Sequence, residues 1–154
     1  MASNWQLHPL RVRYQETDQM SVVFHGNYVT WFEIGRTEWI RSNGFSYKEI
    51  EQRGLLLPVI DLHCKFILPA KYDDQIIICT RVTDYSPLRM HFESQIRRVD
   101  HAAINEQWSG NEPLLGELLV EGGTNHVWVN ESFQPVRLNK AWPELYQLMK
   151  DITG

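Results

Sequence analysis

The chain has little of what marks out several protein classes. It holds two cysteines, Cys64 and Cys79, in 154 residues. There is no Cys-x-x-Cys and no Cys/His metal spacing, which argues against a zinc site. Both cysteines fall in apolar, strand-like runs and are expected to be buried reduced thiols. No apolar run approaches the ~20 residues that cross a bilayer. The opening segment MASNWQLHPLRVRY lacks the basic start and apolar core of a signal peptide. Positive charge is not in excess: 15 Lys and Arg stand against 19 Asp and Glu, for a net charge of -4. A nucleic-acid binder would show a basic stripe instead. Repeats, low-complexity tracts and linkers are missing too. What remains is the expectation of a soluble, cytoplasmic protein with one domain over residues 1–154, without nucleic-acid or membrane partners. Its 43% hydrophobic and 22% charged residues suit a chain of this size with a real core.

The elements follow from the spacing of apolar residues. Leu10, Val12 and Tyr14 alternate with Arg11 and Arg13, so a short half-buried strand is expected over Leu10–Tyr14. Gln15–His25 is irregular. A helix is expected over Asn27–Ser42, because Tyr28, Trp31, Phe32, Gly35 and Trp39 recur at three- and four-residue steps. Glu33, Arg36, Glu38 and Arg41 fall largely off that stripe. Asn27 reads as its N-cap and Asn43-Gly44 as its stop. Gly35 within the stripe costs about 1 kcal/mol relative to alanine, which a close approach to a sheet would compensate. Ser46 and Glu49 stand in capping-box register for a short helix over Ser46–Arg53.

The remainder reads mostly as strand. Ile60, Leu62, Cys64, Phe66 and Leu68 alternate with polar residues and predict a strand with one face in the core. Further strands are expected over Gln75–Asp84, Arg89–Val99 and Leu114–Val129, with turns at Tyr72-Asp73-Asp74 and Ser86-Pro87. Asp100–Pro113 reads as a long loop. Gly122-Gly123 predicts a bulge or a tight backbone approach. A terminal helix over Lys140–Ile152 carries Leu145, Leu148, Met149 and Ile152 on one side. The order is strand, long helix, four strands, terminal helix: an α+β chain whose antiparallel sheet is covered by one principal helix.

The chemistry concentrates between Tyr14 and Glu38. Asp18 lies in a loop that runs into the start of the long helix. A carboxylate can act as base or nucleophile, and a helix start offers unpaired N–H groups to a developing negative charge. The plainer alternative for Asp18 is an Asx-turn.

The run Arg13-Tyr14, Glu16-Thr17-Asp18, Val22-Val23-Phe24-His25-Gly26-Asn27-Tyr28, Phe32-Glu33 and Arg36-Thr37-Glu38 resembles the hotdog-fold acyl-CoA thioesterases, in particular the 4-hydroxybenzoyl-CoA thioesterase and YbgC-like branch. The likeness covers nearly the whole chain. It implies a curved antiparallel sheet wrapped around one long central helix, and a homodimer paired edge to edge, with a tetramer as a dimer of dimers. It also implies an acyl-CoA site at the subunit interface and no metal or other cofactor, coenzyme A being part of the substrate.

Asp18 matches the family's catalytic carboxylate, as nucleophile or as general base. The backbone N–H groups near His25 and Gly26 are the expected oxyanion donors, and Gly26 would admit the thioester closely. The His25 imidazole has a role by the family match alone. Glu16 and Thr17 are expected to fix the loop. Tyr14, Phe24, Asn27 and Tyr28 are candidates to meet the acyl group or its channel, although capping explains Asn27 and core packing explains Tyr28 equally well. CoA phosphates call for cations, and Lys65 and Arg89, with Lys71, Arg97 and Arg98, are candidates. The leading expectation is hydrolysis of an acyl-CoA to free acid and CoA. The alternatives are the same reaction on acyl carrier protein and a noncatalytic acyl-CoA binder. A hotdog hydratase would need a downstream Asp/His motif that is not found.

Overall fold

The computed structural model describes residues 2–100 and 113–153, and the fold reported is that of those residues. The long helix α1 spans Gly26–Ser42, and its Tyr28, Trp31, Phe32, Gly35 and Trp39 are all buried. It lies chiefly across β4 (Gln75–Tyr85) and β1 (Gln6–Arg11). Gly35 marks the closest approach. A Cβ there would overlap Thr80 Oγ1 and stand 2.7 Å from Ile78 Cγ2, so the glycine does compensate its helix cost by contact with the sheet.

The sheet is antiparallel, in the order β1-β4-β5-β6-β3. β3 is Val59–Phe66, β5 is Arg89–Arg98 and β6 is Glu117–Val127. A separate pair joins β2 (Leu55–Leu56) to β7 (Val129–Asn130). The helix α2 spans Tyr47–Gln52, and Ser46 Oγ accepts the Glu49 N–H at 3.2 Å as the capping register predicts. The chain ends in α3 (Leu138–Ala141) and α4 (Pro143–Thr153). This is the α+β hotdog architecture, a curved sheet around one long helix. One core cluster joins Tyr28, Trp31 and Phe32 to Ile76, Ile78 and Ile96. The other joins Trp39 to Phe92, Trp128 and Met149.

Several expectations are corrected. The first strand is Gln6–Arg11, not Leu10–Tyr14, because its pairing with Gln75–Thr80 begins at Gln6. Tyr14 instead opens a 3-10 turn, Tyr14–Glu16, and is 77% exposed. Asn27 is not the N-cap: the helix begins one residue earlier, with His25 in the cap position. Arg36 is buried, at 6% exposure, and its Nε and Nη1 find no hydrogen-bond partner among the described residues. It sits on the flank of the stripe beside Tyr47, whose hydroxyl it contacts. β3 puts its apolar face only partly in the core, where Cys64 packs against the cluster around Tyr28. It is an edge strand that α1 does not cover, and Ile60, Leu62 and Phe66 stay exposed while Cys64 is half-buried. Cys79 is fully buried. The terminal helix is broken at Trp142 into α3 and α4. Most of the expected loop Asp100–Pro113 lies outside the described residues.

Gly122 meets the backbone tightly, since a Cβ there would overlap the His63 carbonyl. The bulge falls nearby instead. Ile96 pairs with Val120 and Arg97 with Leu118, which leaves Leu119 as the extra residue. Its carbonyl accepts the N–H groups of both Ile67 and Leu68, at 2.8 and 3.1 Å. A bulge bends the strand that carries it. Here the chain leaving β3 is brought over the start of α1, where Ala70 N–H donates to the Tyr28 hydroxyl at 3.1 Å.

Candidate active site

The loop before α1 is fixed by one buried carboxylate. Glu16, 5% exposed, accepts from Trp31 Nε1–H and from Arg13 N–H, each at 2.8 Å. Its carbonyl accepts from Phe24 N–H at 2.9 Å and from Asn27 Nδ2–H at 2.8 Å. Thr17 Oγ1 donates to the Tyr14 carbonyl at 2.7 Å. Loop and helix start are thereby tied together. Glu16 and Thr17 hold the loop, and Asn27 spends its side chain on the same task.

Asp18 stands at the tip of this loop, partly exposed. Its N–H donates to the Val22 carbonyl and its own carbonyl accepts from Ser21 N–H, both at 2.9 Å. Oδ1 accepts from Met20 N–H at 2.9 Å. That is an Asx-turn, and it occupies only one carboxylate oxygen. Oδ2 has no hydrogen bond among the described residues. Ser21 closes the turn at φ 65°, a conformation costly for a residue with a Cβ.

The start of α1 faces the same region. Asn27 N–H and Tyr28 N–H are taken by the carbonyls of Phe24 and His25, at 2.9 and 3.2 Å. The amides of His25 and Gly26 have no acceptor among the described residues. No acidic side chain occupies the first turn, so nothing on the helix neutralises the positive end of its dipole.

Between these parts lies a cavity of about 240 Å³. Asp18 and His25 are its polar residues. Met20, Val22 and Val23 form one apolar side, Tyr28 the floor, and the segment Phe66–Pro69 the other wall. That wall is latched to the loop that carries Asp18 through Ala70, whose carbonyl accepts Val23 N–H at 2.9 Å and whose N–H meets Tyr28. Burial pushes the Tyr28 phenol up, against the opposing pull of the Ala70 hydrogen bond, so it stays protonated.

Known proteins resemble this chain in sequence and fold. The family model described as "Thioesterase superfamily" matches residues 20–104. YneP of Bacillus subtilis (strain 168), provisionally named an acyl-CoA thioesterase, is 33% identical over 136 residues, 88% of each chain. The chain belongs to the thioesterase superfamily. The acyl-CoA thioester hydrolase YbgC of Escherichia coli O6:H1 is 31% identical over 98 residues, 64% of this chain and 73% of its own. Among solved structures, a DHNA-CoA thioesterase from Staphylococcus aureus superposes with a TM-score of 0.82 at 31% identity, covering 96% of this chain and 90% of that one.

Within this thioesterase-superfamily chain the expected site residues separate. Asp18, His25 and Tyr28 share the cavity. Gly26 does not line it, and the space its missing Cβ leaves is filled by the Phe24 ring, with Cε2 at 2.7 Å. Phe24 is half-exposed and stacks obliquely on His25, ring centres 4.4 Å apart. Tyr14 packs edge-on to Tyr72 instead. Lys65 lines a different, polar hollow with His63 and His91 on the outer sheet face. Arg89 opens β5 and does not line the cavity. Arg97 bonds the carbonyls of Leu115 and Gly116. Arg98 pairs with Asp74 and Glu117.

Two features escaped the sequence reading. Met20 gives its amide to Asp18 and its side chain to the cavity. Its signal was a bare apolar residue in an otherwise polar loop. The wall Phe66-Ile67-Leu68 was signalled by three consecutive apolar residues where alternation should have continued.

Proposed function

We propose that this chain is a single-domain acyl-CoA thioesterase that releases a free carboxylic acid and CoA. One observation carries the reading. Asp18 holds one oxygen in its turn and leaves the other unengaged, in a largely apolar cavity that His25, in the cap position of α1, also lines. The acyl group enters the apolar cavity with its carbonyl oxygen toward the amides of His25 and Gly26. Asp18 then attacks the carbonyl carbon, or takes a proton from a water that does. Either route passes through a tetrahedral oxyanion, which the two amides stabilise as charge develops. Collapse expels the CoA thiolate, which takes up a proton. On the nucleophilic route water then cleaves the acyl-Asp18 anhydride. The His25 imidazole, at the cavity edge, polarises the carbonyl or orients the water.

The exposed inner face of β3 supports a homodimer paired along that edge. Ile60, Leu62 and Phe66 are apolar, and an open edge strand of this kind is a template for a second strand. Two such dimers make a tetramer. Both cysteines are free, which fits a cytoplasmic setting. Among the described residues no helix is long and apolar enough to cross a membrane.

The test is thiol release from a panel of acyl-CoAs, run beside the same acyl groups on acyl carrier protein. Turnover of CoA thioesters is expected. Saturable binding of every CoA thioester without cleavage would make the protein a binding module. Turnover of the protein-bound thioester alone would move the carrier assignment to acyl carrier protein.

A further inference from the structure

The outer face of the sheet carries a second polar constellation, made of residues that thioester hydrolysis does not use. His63 on β3 and His91 on β5 stand on either side of β6. Between them lies Gly123, which pairs with His63 in the strand register. With no side chain there, the space above β6 is open, and His91 leans into it. A Cβ on Gly123 would stand 3.1 Å from His91 Nε2. The two imidazole rings are parallel within 8°, with centres 6.4 Å apart.

One of these rings is preset. Asp61 Oδ1 accepts from Asn125 Nδ2–H at 2.6 Å. An ionised carboxylate only accepts, so this bond orients the amide and turns the Asn125 oxygen toward His91. His91 Nδ1–H therefore donates to Asn125 Oδ1 at 2.8 Å, and Nε2 keeps an open lone pair. An imidazole held by an acceptor at one nitrogen and open at the other is arranged as a metal ligand. His63 is exposed, and its ring makes no hydrogen bond among the described residues. It is free to turn a nitrogen toward the same point. Glu121 lines the same hollow opposite Lys65 and has no ion pair among the described residues. Glu93, the other carboxylate there, is held by Arg81 at 2.9 Å.

We propose that His63 and His91 bind one divalent transition-metal ion on the outer face of the sheet. Imidazole nitrogens select Zn²⁺, Ni²⁺ or Cu²⁺, whereas Mg²⁺ and Ca²⁺ take oxygen ligands. Three or more metal-ligating side chains do not converge anywhere among the described residues. The site is therefore a two-histidine one, completed by water and, on rotation of its side chain, by Glu121. The bound ion ties the edge strand β3 to β5 across β6. This site stands apart from the Asp18 cavity, so it holds or fails independently of the thioesterase reading.

The experiment is isothermal titration of the full chain with zinc chloride at neutral pH. The wild type should bind one ion per chain. His63→Ala and His91→Ala should each abolish that binding. Asn125→Ala keeps both histidines and removes only the acceptor behind His91, and it should weaken binding about 10–100-fold. All three positions lie outside the core clusters, and unchanged far-UV circular dichroism should verify that the variants fold. Zinc should raise the thermal unfolding midpoint of the wild type and not that of His63→Ala. A wild type that binds no stoichiometric zinc, or binding that survives His63→Ala, would overturn the site. Equal affinity in Asn125→Ala and the wild type would overturn it too, because a preset His91 is what separates this pair from two unrelated surface histidines.

Discussion

At the scale of single residues, buried polar groups explain more of this molecule than its surface charges. His126, on β6, is fully enclosed. Its Nδ1–H donates to the Leu57 carbonyl at 3.0 Å, which leaves Nε2 to accept from Thr124 Oγ1–H at 2.8 Å. Burial, joined by the Arg36 charge and opposed by the Leu57 hydrogen bond, lowers its pKa from 6.5 to about 4. The sign follows directly. Between those values the unfolded chain binds a proton that the fold excludes, so stability is full above about pH 6.5 and falls as pH drops toward 4, by at most about 3 kcal/mol. Urea denaturation at pH 7 and pH 5 should show this loss in the wild type and a smaller one in His126→Gln. Equal losses in both would remove His126 as the cause. In the sequence His126 was an unassigned strand histidine, because alternation gives a face but not what covers that face. Arg36 was misread for a related reason. A guanidinium has a long apolar stem, and its position on the flank of the stripe let the helix bury it beside Tyr47. Asp18 was legible as a candidate catalytic group and as an Asx-turn. The structure shows the turn, and leaves one oxygen over for chemistry.

At the scale of elements, legibility followed the strength of the periodic signal. The α1 stripe was unmistakable because five buried positions share one period, and Gly35 within it correctly implied close contact with the sheet. That contact makes a prediction. Gly35→Ala gains about 1 kcal/mol of helix propensity, but its Cβ would overlap Thr80 Oγ1 and crowd Ile78. Overpacking of this kind costs about 1–3 kcal/mol, so the variant should unfold at lower urea than the wild type. A variant of equal or greater stability would mean that α1 does not approach β4 as described. β1 was less legible, since His8 and Pro9 interrupt the apolar alternation that its pairing with β4 ignores. The bulge at Leu119 had no local signature. It arises from the mismatch between β5 and β6 and became visible only through the pairing. Yet this bulge turns Ile67 and Leu68 over the start of α1, and so builds one wall of the cavity beside Asp18.

At the scale of the whole molecule, the overall α+β order was readable, but the covering of the sheet was not. α1 reaches β1, β4 and β5, and β3 lies beyond it. The apolar alternation of β3 therefore pointed to a face that is buried only when something else covers it. A second copy paired along this edge is the proposed cover. Leu62→Lys, on an exposed strand position, should shift the protein from dimer to monomer in analytical ultracentrifugation while leaving its far-UV circular dichroism unchanged. A dimer of undiminished stability would place the interface elsewhere. The central claim concerns the carboxylate at the mouth of the cavity, and one measurement addresses it most directly: kcat for an accepted acyl-CoA with Asp18→Asn. The amide keeps the oxygen that accepts Met20 N–H, so the turn and the fold should survive. It lacks the charge needed to attack or to take a proton. A fall in kcat of about 10²–10⁴-fold, with little change in thermal stability or substrate affinity, is the predicted result. Turnover at the wild-type rate would contradict it.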